Sequence, residues 1–326
     1  MSVSIIIPVY NCALYLTAAL HSVTQQSEKD LDIVVVDDGS TDASLSIARH
    51  EAQLDPRIRV YSQANMGTPS VARNRGIREA RGEFITFLDG DDLYDPEKIA
   101  RELEVFRLCP ELDVVFADII SFEADIPDPH SMRTLGRLNF VDKASAYLEH
   151  HSETLYICKP SFYNFMATQI TSMNTHTVMV RRRFLEQESP IFREDWPVGE
   201  DIDLWFRLAR RGSVAFLDEA LAYYRQRPSS LMSDNERALI GFIRAHSANL
   251  TRGKDVLSDE EKNIIKSRLA KQYFYLGYNY FSKGKMREAR ASYASARNYD
   301  RSIYSRYAWL KTFLPYFIVS ALAPRK

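Results

Sequence analysis

Cysteine is scarce in this 326-residue chain: Cys12, Cys109 and Cys158 are scattered without C-x-x-C spacing. That spacing supports neither a disulfide framework nor a zinc site, and a reducing cytoplasm is the expected setting. Long apolar runs are missing too, none reaching the roughly 20 residues of a membrane-spanning helix. No basic apolar leader precedes Val3, so no signal peptide is expected. Neither a G-x-G-x-x-G nor a Walker loop occurs, so phosphates are not held by a glycine-rich cradle. The formal net charge is only −1, while 45% hydrophobic content is enough for one large α/β domain and a smaller appendage,.

The charge that is present is unevenly spread. From Arg237 to Lys326 there are 18 Lys and Arg against 6 Asp and Glu, a net of +12 that leaves −13 elsewhere. A basic segment on an acidic protein points to an anionic surface, and no nucleic-acid-binding motif accompanies it, so membrane rather than nucleic acid is the expected partner. The stretch from Ala308 to Val319 is apolar and aromatic, too short to span a bilayer but suited to its headgroup boundary. The alternative is a helix docked on the rest of the chain or on another subunit.

The first part alternates β-branched runs with helical patterns. Strands are predicted near Val3 to Val9, Leu31 to Val36, Ile58 to Ser62, Phe84 to Leu88 and Asp113 to Ala117, which implies a mostly parallel sheet with right-handed crossovers. Pro8 demotes the first strand to an edge or a strand end. Thr68 followed by Pro69 starts the helix carrying Arg73. From Ile126 to Thr175 the periodicity breaks around Pro127, Pro129 and Pro160, and loops facing a ligand are expected there, although their rings could equally fill core. Val178 to Val180 reads as a returning strand, Glu200 to Arg211 as a helix ended by Gly212, and Val214 to Leu217 and Leu221 to Tyr224 as closing strands. After Met232 the pattern is helical, and Tyr273, Leu276, Gly277, Tyr280, Gly284, Ala289, Tyr293 and Ala296 match one tetratricopeptide-like helix pair.

Two acidic turns carry the chemistry. Phe84 to Leu88 ends by delivering Asp89, Asp91 and Asp92, whose mutual repulsion a divalent cation such as Mg²⁺ or Mn²⁺ would offset. Asp95-Pro96-Glu97 behind them reads as a helix start, for which Asp92 could serve as a cap. The second turn, Asp37-Asp38-Gly39-Ser40-Thr41-Asp42, follows another apolar strand. Ser40, Thr41 or Asp42 can cap the next helix, while Asp37 points into the crevice above a parallel sheet. Tyr10 stands at the rim of the first strand with its ring free to stack on a flat ligand.

These stretches make the chain recognisable. S-I-I-I-P-V-Y-N, V-V-V-D-D-G-S-T-D, the set Asn65, Gly67, Ala72, Arg73, Asn74 and Gly76, and F-L-D-G-D-D resemble, in order and spacing, the nucleotide-sugar half of family 2 glycosyltransferases with the GT-A fold. Gly199 to Trp205 adds a fifth match, and Tyr224-Arg225 with Ser230 a partial sixth. The resemblance implies an α/β GT-A fold with a mostly parallel Rossmann-like central sheet, helices on both faces and a C-terminal helical appendage. The expected division is 1–232, with a nucleotide-sugar half at 1–118 and an acceptor half at 119–232, followed by a basic helical region at 233–326.

By the same resemblance the chain is an inverting, metal-assisted transferase. Its donor is a nucleotide-diphosphate sugar, UDP-linked by default, and its acceptor a glycan or lipid-linked glycan of a cell-surface polysaccharide. Asp91 resembles the family's metal ligand, and Asp89 a partner of the metal or the ribose. Pro8, Tyr10, Asn11, Asp37 and Asp38 match positions that cradle base and ribose, and Arg73 one that contacts the nucleotide. Asp201 is implied as general base and Glu200 as a contact to donor or acceptor hydroxyls, though both stand at a helix start where a carboxylate can be only a cap. Basic groups such as Arg225 would hold the diphosphate. One departure matters: many relatives carry His two residues after the Tyr-Arg pair, and here Arg227 stands there, unable to ligate a metal but able to bind a diphosphate. The implied location is cytoplasmic, peripheral on the inner face of the plasma membrane. The competing reading is a catalytically silent nucleotide- or glycan-binding scaffold, against which the joint presence of Asp89, Asp91 and Asp201 argues.

Overall fold

Val and Ile runs buried along most of their length build the centre of the first of two units, Met1–Pro228 and Ser229–Lys326. The computed structural model describes residues 1–123, 126–227, 235–301, 308–310 and 312–313. Its strands are β1 Val3–Val9, β2 Leu31–Asp37, β3 Ile58–Ser62, β4 Phe84–Phe87, β5 Leu93–Tyr94, β6 Val114–Phe122, β7 Leu148–His150, β8 Leu155–Cys158, β9 Val178–Arg181 and β10 Val214–Arg225. They form one sheet in the order β3-β2-β1-β4-β9-β6-β10-β8-β7, with β5 paired to β10. β3, β2, β1 and β4 run parallel, as do β6 and β10, while β9 lies antiparallel between β4 and β6. The start of β9 therefore shares an edge with the ends of the parallel strands.

The helices of this unit are α1 Leu16–Thr24, α2 Ser44–Leu54, α3 Pro69–Glu79, α4 Lys98–Leu108, α5 Thr134–Arg137, α6 Phe140–Ala144, α7 Phe162–Thr168, α8 Arg182–Leu185 and α9 Glu200–Arg211. Thr68 caps α3 by accepting from Ser70 N, with Pro69 in the first turn, as the sequence predicts,. The cap of α2 differs from expectation: Ala43 holds the N-cap place, and Asp42 assists by accepting from Ser44 N.

Of the two places the sequence allowed for Pro8, an edge or a strand end, it takes the second: β1 ends at Val9 and pairs with β2 on one side and β4 on the other. Pro8 is tolerated because the β4 pairing stops at Ile6, so its missing N–H deprives no neighbour,. The two closing strands are one, β10, interrupted by register shifts between Leu217 and Ala222,. Between the acidic turn and α4 lies the short strand β5, and Asp92 does not cap the helix. Finally, the aromatic stretch before Thr175 is largely core. Phe140, Phe162 and Phe165 are buried, and Phe140 sits 4.8 Å from Phe216 in an edge-on contact,.

The second unit is helical, with α10 Asn235–Arg252, α11 Asp259–Ser282 and α12 Met286–Tyr299. A capping box of Ser258 and Glu261 starts α11,. Gly284, at φ +73°, turns the chain into α12, and Gly277 admits the Tyr293 ring, which a Cβ would meet at 2.7 Å,. Leu276, Ala289, Tyr293 and Ala296 are buried between these helices, the pair expected from the repeat-like spacing. Most of the Ala308 to Val319 tail and Ser230 lie outside the described residues. Of the tail's described part, Thr312 O accepts from Arg290 at 3.1 Å, while Leu310 and Phe313 remain exposed. No helix among the described residues is long and apolar enough to cross a membrane.

The seating of α3 on β1 fixes where Arg73 points, and it depends on Gly76, where a Cβ would fall 2.3 Å from Ile6 Cγ2. Gly76→Val is expected to cost about 1–3 kcal/mol by overpacking. Thermal unfolding followed by circular dichroism should place its midpoint several degrees below that of the wild type.

Candidate active site

Five segments meet at the edge where the parallel strands end: the turns after β1, β2 and β4, the end of β10, and the run Asn174 to Thr177 that enters β9. Such an edge is where ligands bind in open α/β sheets. The turn after β4 is held by β10, since Asp92 Oδ1 accepts from Arg225 N at 2.7 Å and Asp91 O accepts from Arg225 Nε at 3.0 Å.

A chain of alternating charge crosses this edge. Arg73, 4% exposed, donates from Nη2 to Asp89 Oδ1 at 2.8 Å and from Nη1 to Glu200 Oε1 at 2.7 Å. His176 Nε2 lies 3.2 Å from Asp89 Oδ2 and 2.7 Å from Asp92 Oδ2. Burial works against a charged His176, but Asp92 and Asp89 outweigh it and raise its pKa to about 10,. Burial likewise opposes a charged Asp89, and Arg73 and His176 overcome it, holding that carboxyl well below the usual range. Glu200, in the first turn of α9, is raised to about 7 by burial and by Asp201 against the pull of Arg73. Asp201 is more open. Its Oδ1 accepts from Ile202 N at 2.7 Å and its Oδ2 from Thr175 Oγ1 at 3.0 Å. Thr175 and His176 thus tie the acidic turn after β4 to the start of α9.

The other residues singled out by sequence fall around this chain. Asp37 ends β2 and is buried, accepting from Ser40 N at 3.3 Å and Ser62 Oγ at 3.2 Å. Asp38, also buried, accepts from Gln63 Nε2 at 2.7 Å and Met66 N at 3.1 Å, so both carboxylates shape the loops of the β2 side. Asn11, at φ +51°, accepts from Thr41 N at 2.8 Å. Tyr10 is 49% exposed beyond the buried Pro8, its ring open as expected. Arg73 has both terminal nitrogens engaged by carboxylates, which makes it a strut between Asp89 and Glu200. Arg225 is buried against the rings of Phe122 and Tyr15. Arg227 Nε lies 2.6 Å from Asp91 Oδ2, although its N–H is not aimed along that contact. Burial and repulsion from Asp92 and Asp89 raise Asp91 to about 6 despite Arg227.

Asn174, Thr175 and His176 were missed by sequence reasoning. Their one local signal is a polar run directly ahead of a buried strand. Among the described residues, the side chains grouped closely enough to hold one metal ion are Asp89, Asp92 and His176, with ligand atoms all within 4.8 Å, while Asp91 lies beside Arg227. Their chemistry fits a transition ion such as Mn²⁺, which accepts mixed carboxylate and imidazole donors. His176 is also oriented for it. Asn174 Oδ1 accepts from the backbone N of His176 at 3.3 Å and lies 2.8 Å from its ring Nδ1, which directs Nε2 at the carboxylates,.

Comparison with known proteins agrees with this fold. Residues 4–188 match the model of glycosyl transferase family 2. An uncharacterized glycosyltransferase of Nostoc sp. is 35% identical over 226 residues, covering 69% of this chain and 65% of that protein, so the chain spans less than two thirds of that relative's length. TuaG of Bacillus subtilis, a glycosyltransferase named for teichuronic acid biosynthesis, is 29% identical over 240 residues, 72% of this chain and 83% of that one. Among solved structures, S. aureus TarS 1-349 in complex with UDP-GlcNAc superposes with a TM-score of 0.65 at 20% identity, covering 96% of this chain and 89% of that one. The mannosyltransferase PcManGT from Pyrobaculum calidifontis, in complex with GDP-Man and Mn²⁺, does so with a TM-score of 0.57 at 18% identity, covering 99% and 81%. At these identities the structural likeness speaks for the fold.

Glu200 provides a pH test. In the folded chain it keeps a proton that its ordinary value of 4.5 would release, so its contribution to stability is full at low pH and is lost as pH rises through about 7,. Glu200→Gln removes that dependence. Its melting temperature relative to wild type is expected to rise between about pH 5 and about pH 8; a flat difference would contradict a buried, raised carboxyl.

Proposed function

The chain belongs to glycosyl transferase family 2, and from that premise we propose that it transfers one sugar from a nucleotide-diphosphate donor to a glycan or lipid-linked acceptor of a cell-surface polysaccharide. The observation that carries the reading is the charge chain Asp92, His176, Asp89, Arg73 and Glu200, with the partly open Asp201 beside it. The name of TuaG supports the polysaccharide setting, and the UDP-GlcNAc complex of TarS supports uridine as the default nucleotide.

In this reading Asp201 is the general base. Its carboxylate, held by Thr175 and its own helix start, takes the proton of the acceptor hydroxyl, and attack from the face opposite the nucleotide inverts the sugar by single displacement. Glu200 stands one residue away to bind a sugar hydroxyl, oriented by Arg73. Tyr10 stacks on the base, and Pro8, Asn11, Asp37 and Asp38 shape the cradle for base and ribose. Arg227 lies beside the acidic turn as a cation for the diphosphate, and Arg225 supports that turn from β10. A divalent ion bound by carboxylates of the turn would supply positive charge to the departing diphosphate.

Location follows from charge. The 1–232 region acts on the donor, while the basic region at 233–326, with Leu310 and Phe313 exposed, brings the enzyme to the anionic inner face of the plasma membrane from the cytoplasm,.

Release of free nucleotide from a panel of UDP-, GDP- and dTDP-sugars with Mn²⁺ is the direct test. Asp201→Asn is expected to lower turnover by about 10²–10⁴-fold, the usual worth of a general base, while donor binding by thermal shift is retained. Equal turnover in wild type and variant would remove Asp201 from the role of base, and no turnover by the wild type on any donor would leave only the silent scaffold. For the membrane, co-sedimentation with anionic liposomes should fall with rising salt and vanish when residues beyond Arg306 are deleted.

A further inference from the structure

We infer that Trp196 is a stacking platform for the acceptor, the surface on which the sugar carrying the attacking hydroxyl rests beside Asp201. The inference rests on the transferase reading, and it supplies an acceptor surface where the rings before Thr175 went largely into core. Trp196 belongs to the segment from Phe192 to Gly199 that leads into α9, and this segment is pinned along α3. Phe192 is fully buried, 5.3 Å from the Phe87 ring and 6.2 Å from Trp205, with the Arg73 guanidinium 5.5 Å from its centre. Asn74 donates from Nδ2 to Phe192 O at 2.8 Å and to Glu194 Oε1 at 2.9 Å, and its Oδ1 accepts from Phe192 N at 3.0 Å. Thr68 then donates from Oγ1 to Trp196 O at 3.2 Å. The segment thus follows α3 from its second turn back to its N-cap. Because α3 comes after the parallel strand β3, that N-cap lies at the edge where the parallel strands end, which puts Trp196 on the rim of the site,.

The ring is supported as well as the backbone. The Arg193 guanidinium lies 5.0 Å from the centre of the Trp196 ring, and Arg193 Nε donates to Asp203 Oδ2 at 3.3 Å,. Asp203 is fully buried and also accepts from Arg207 Nε at 3.1 Å, so the cation against the indole is anchored to α9, the helix that carries Asp201. Trp196 itself stays half-buried. An indole held on a fixed cation and still open to solvent is a rigid apolar surface that costs little side-chain entropy on binding, and the C–H face of a pyranose ring suits it. The acceptor is the sugar it fits, because Asp201 follows five residues later in the same anchored stretch and the acceptor hydroxyl must reach that carboxylate. The donor's base has Tyr10, on the turn after β1, as its own ring.

Nucleotide release by the full chain, followed as octyl glycosides of glucose, galactose and N-acetylglucosamine are titrated against the donor it uses, reads acceptor binding apart from donor binding. Release by the wild type is expected to rise saturably with at least one of these glycosides. Trp196→Ala should raise the half-saturating glycoside concentration about 3–10-fold, the usual worth of one aromatic contact, while the thermal shift produced by the donor is kept. Trp196→Phe should recover most of the loss, and Arg193→Gln, which frees the ring, should show a smaller rise. Circular dichroism melts of each variant check that it folds. An unchanged half-saturating concentration in Trp196→Ala overturns the inference. So does loss of the donor's thermal shift in that variant, which assigns the ring to the donor, or a wild type that none of the three glycosides accelerates. No nucleotide release by the wild type from any UDP-, GDP- or dTDP-sugar is a different failure, since it sinks the transferase reading itself.

Discussion

Buried carboxylates need cations, and the arrangement of this edge of the sheet follows from how that need is met. Asp89 and Glu200 come from distant parts of the chain, and Arg73 lies between them with a nitrogen for each. Removing one partner from a buried pair typically costs about 3–5 kcal/mol, because the other charge is left without water or counter-ion. Arg73 therefore holds the start of α9 against the turn after β4. His176 meets the same requirement for Asp92, and Arg227 for Asp91.

The sheet makes such neutralisation possible. Parallel strands deliver acidic turns to one edge, where their carboxylates would repel one another. β9 runs the other way, so the residues before it reach the same edge from the opposite side, and they bring an imidazole and a hydroxyl. β10 adds two arginines at its end. The edge is thereby a mixed-charge surface that can admit an anionic diphosphate among carboxylates. Asp201 stays partly open, as do Asp89 and Asp91, and a group that must exchange a proton with a substrate cannot be fully enclosed.

Much of this was legible in the order of residues. Apolar β-branched runs placed the first strands, Thr68 and Pro69 marked the start of α3, and Gly212 the end of α9, because local backbone preferences act within a few residues. The sequence left alternatives open where a neighbour in space decides the outcome. Pro8 sits in an interior strand because β4 is shorter than β1, and Asp92 is bound by β10 rather than capping α4. The rings between Ile126 and Thr175 went mostly into core, since apolar faces are buried wherever a facing surface exists, and Phe116 and Phe216 supply one,.

The chain alone determined the acidic turns, the helix-start carboxylates, the arginine in place of a histidine and the basic C-terminal region, all of which are local facts of composition and spacing. Which cation answers which carboxylate was decided only by tertiary structure. Ion pairing depends on distance through space, and Arg73 with Glu200, or His176 with Asp92, are far apart in sequence and a single hydrogen-bond length apart in the fold,.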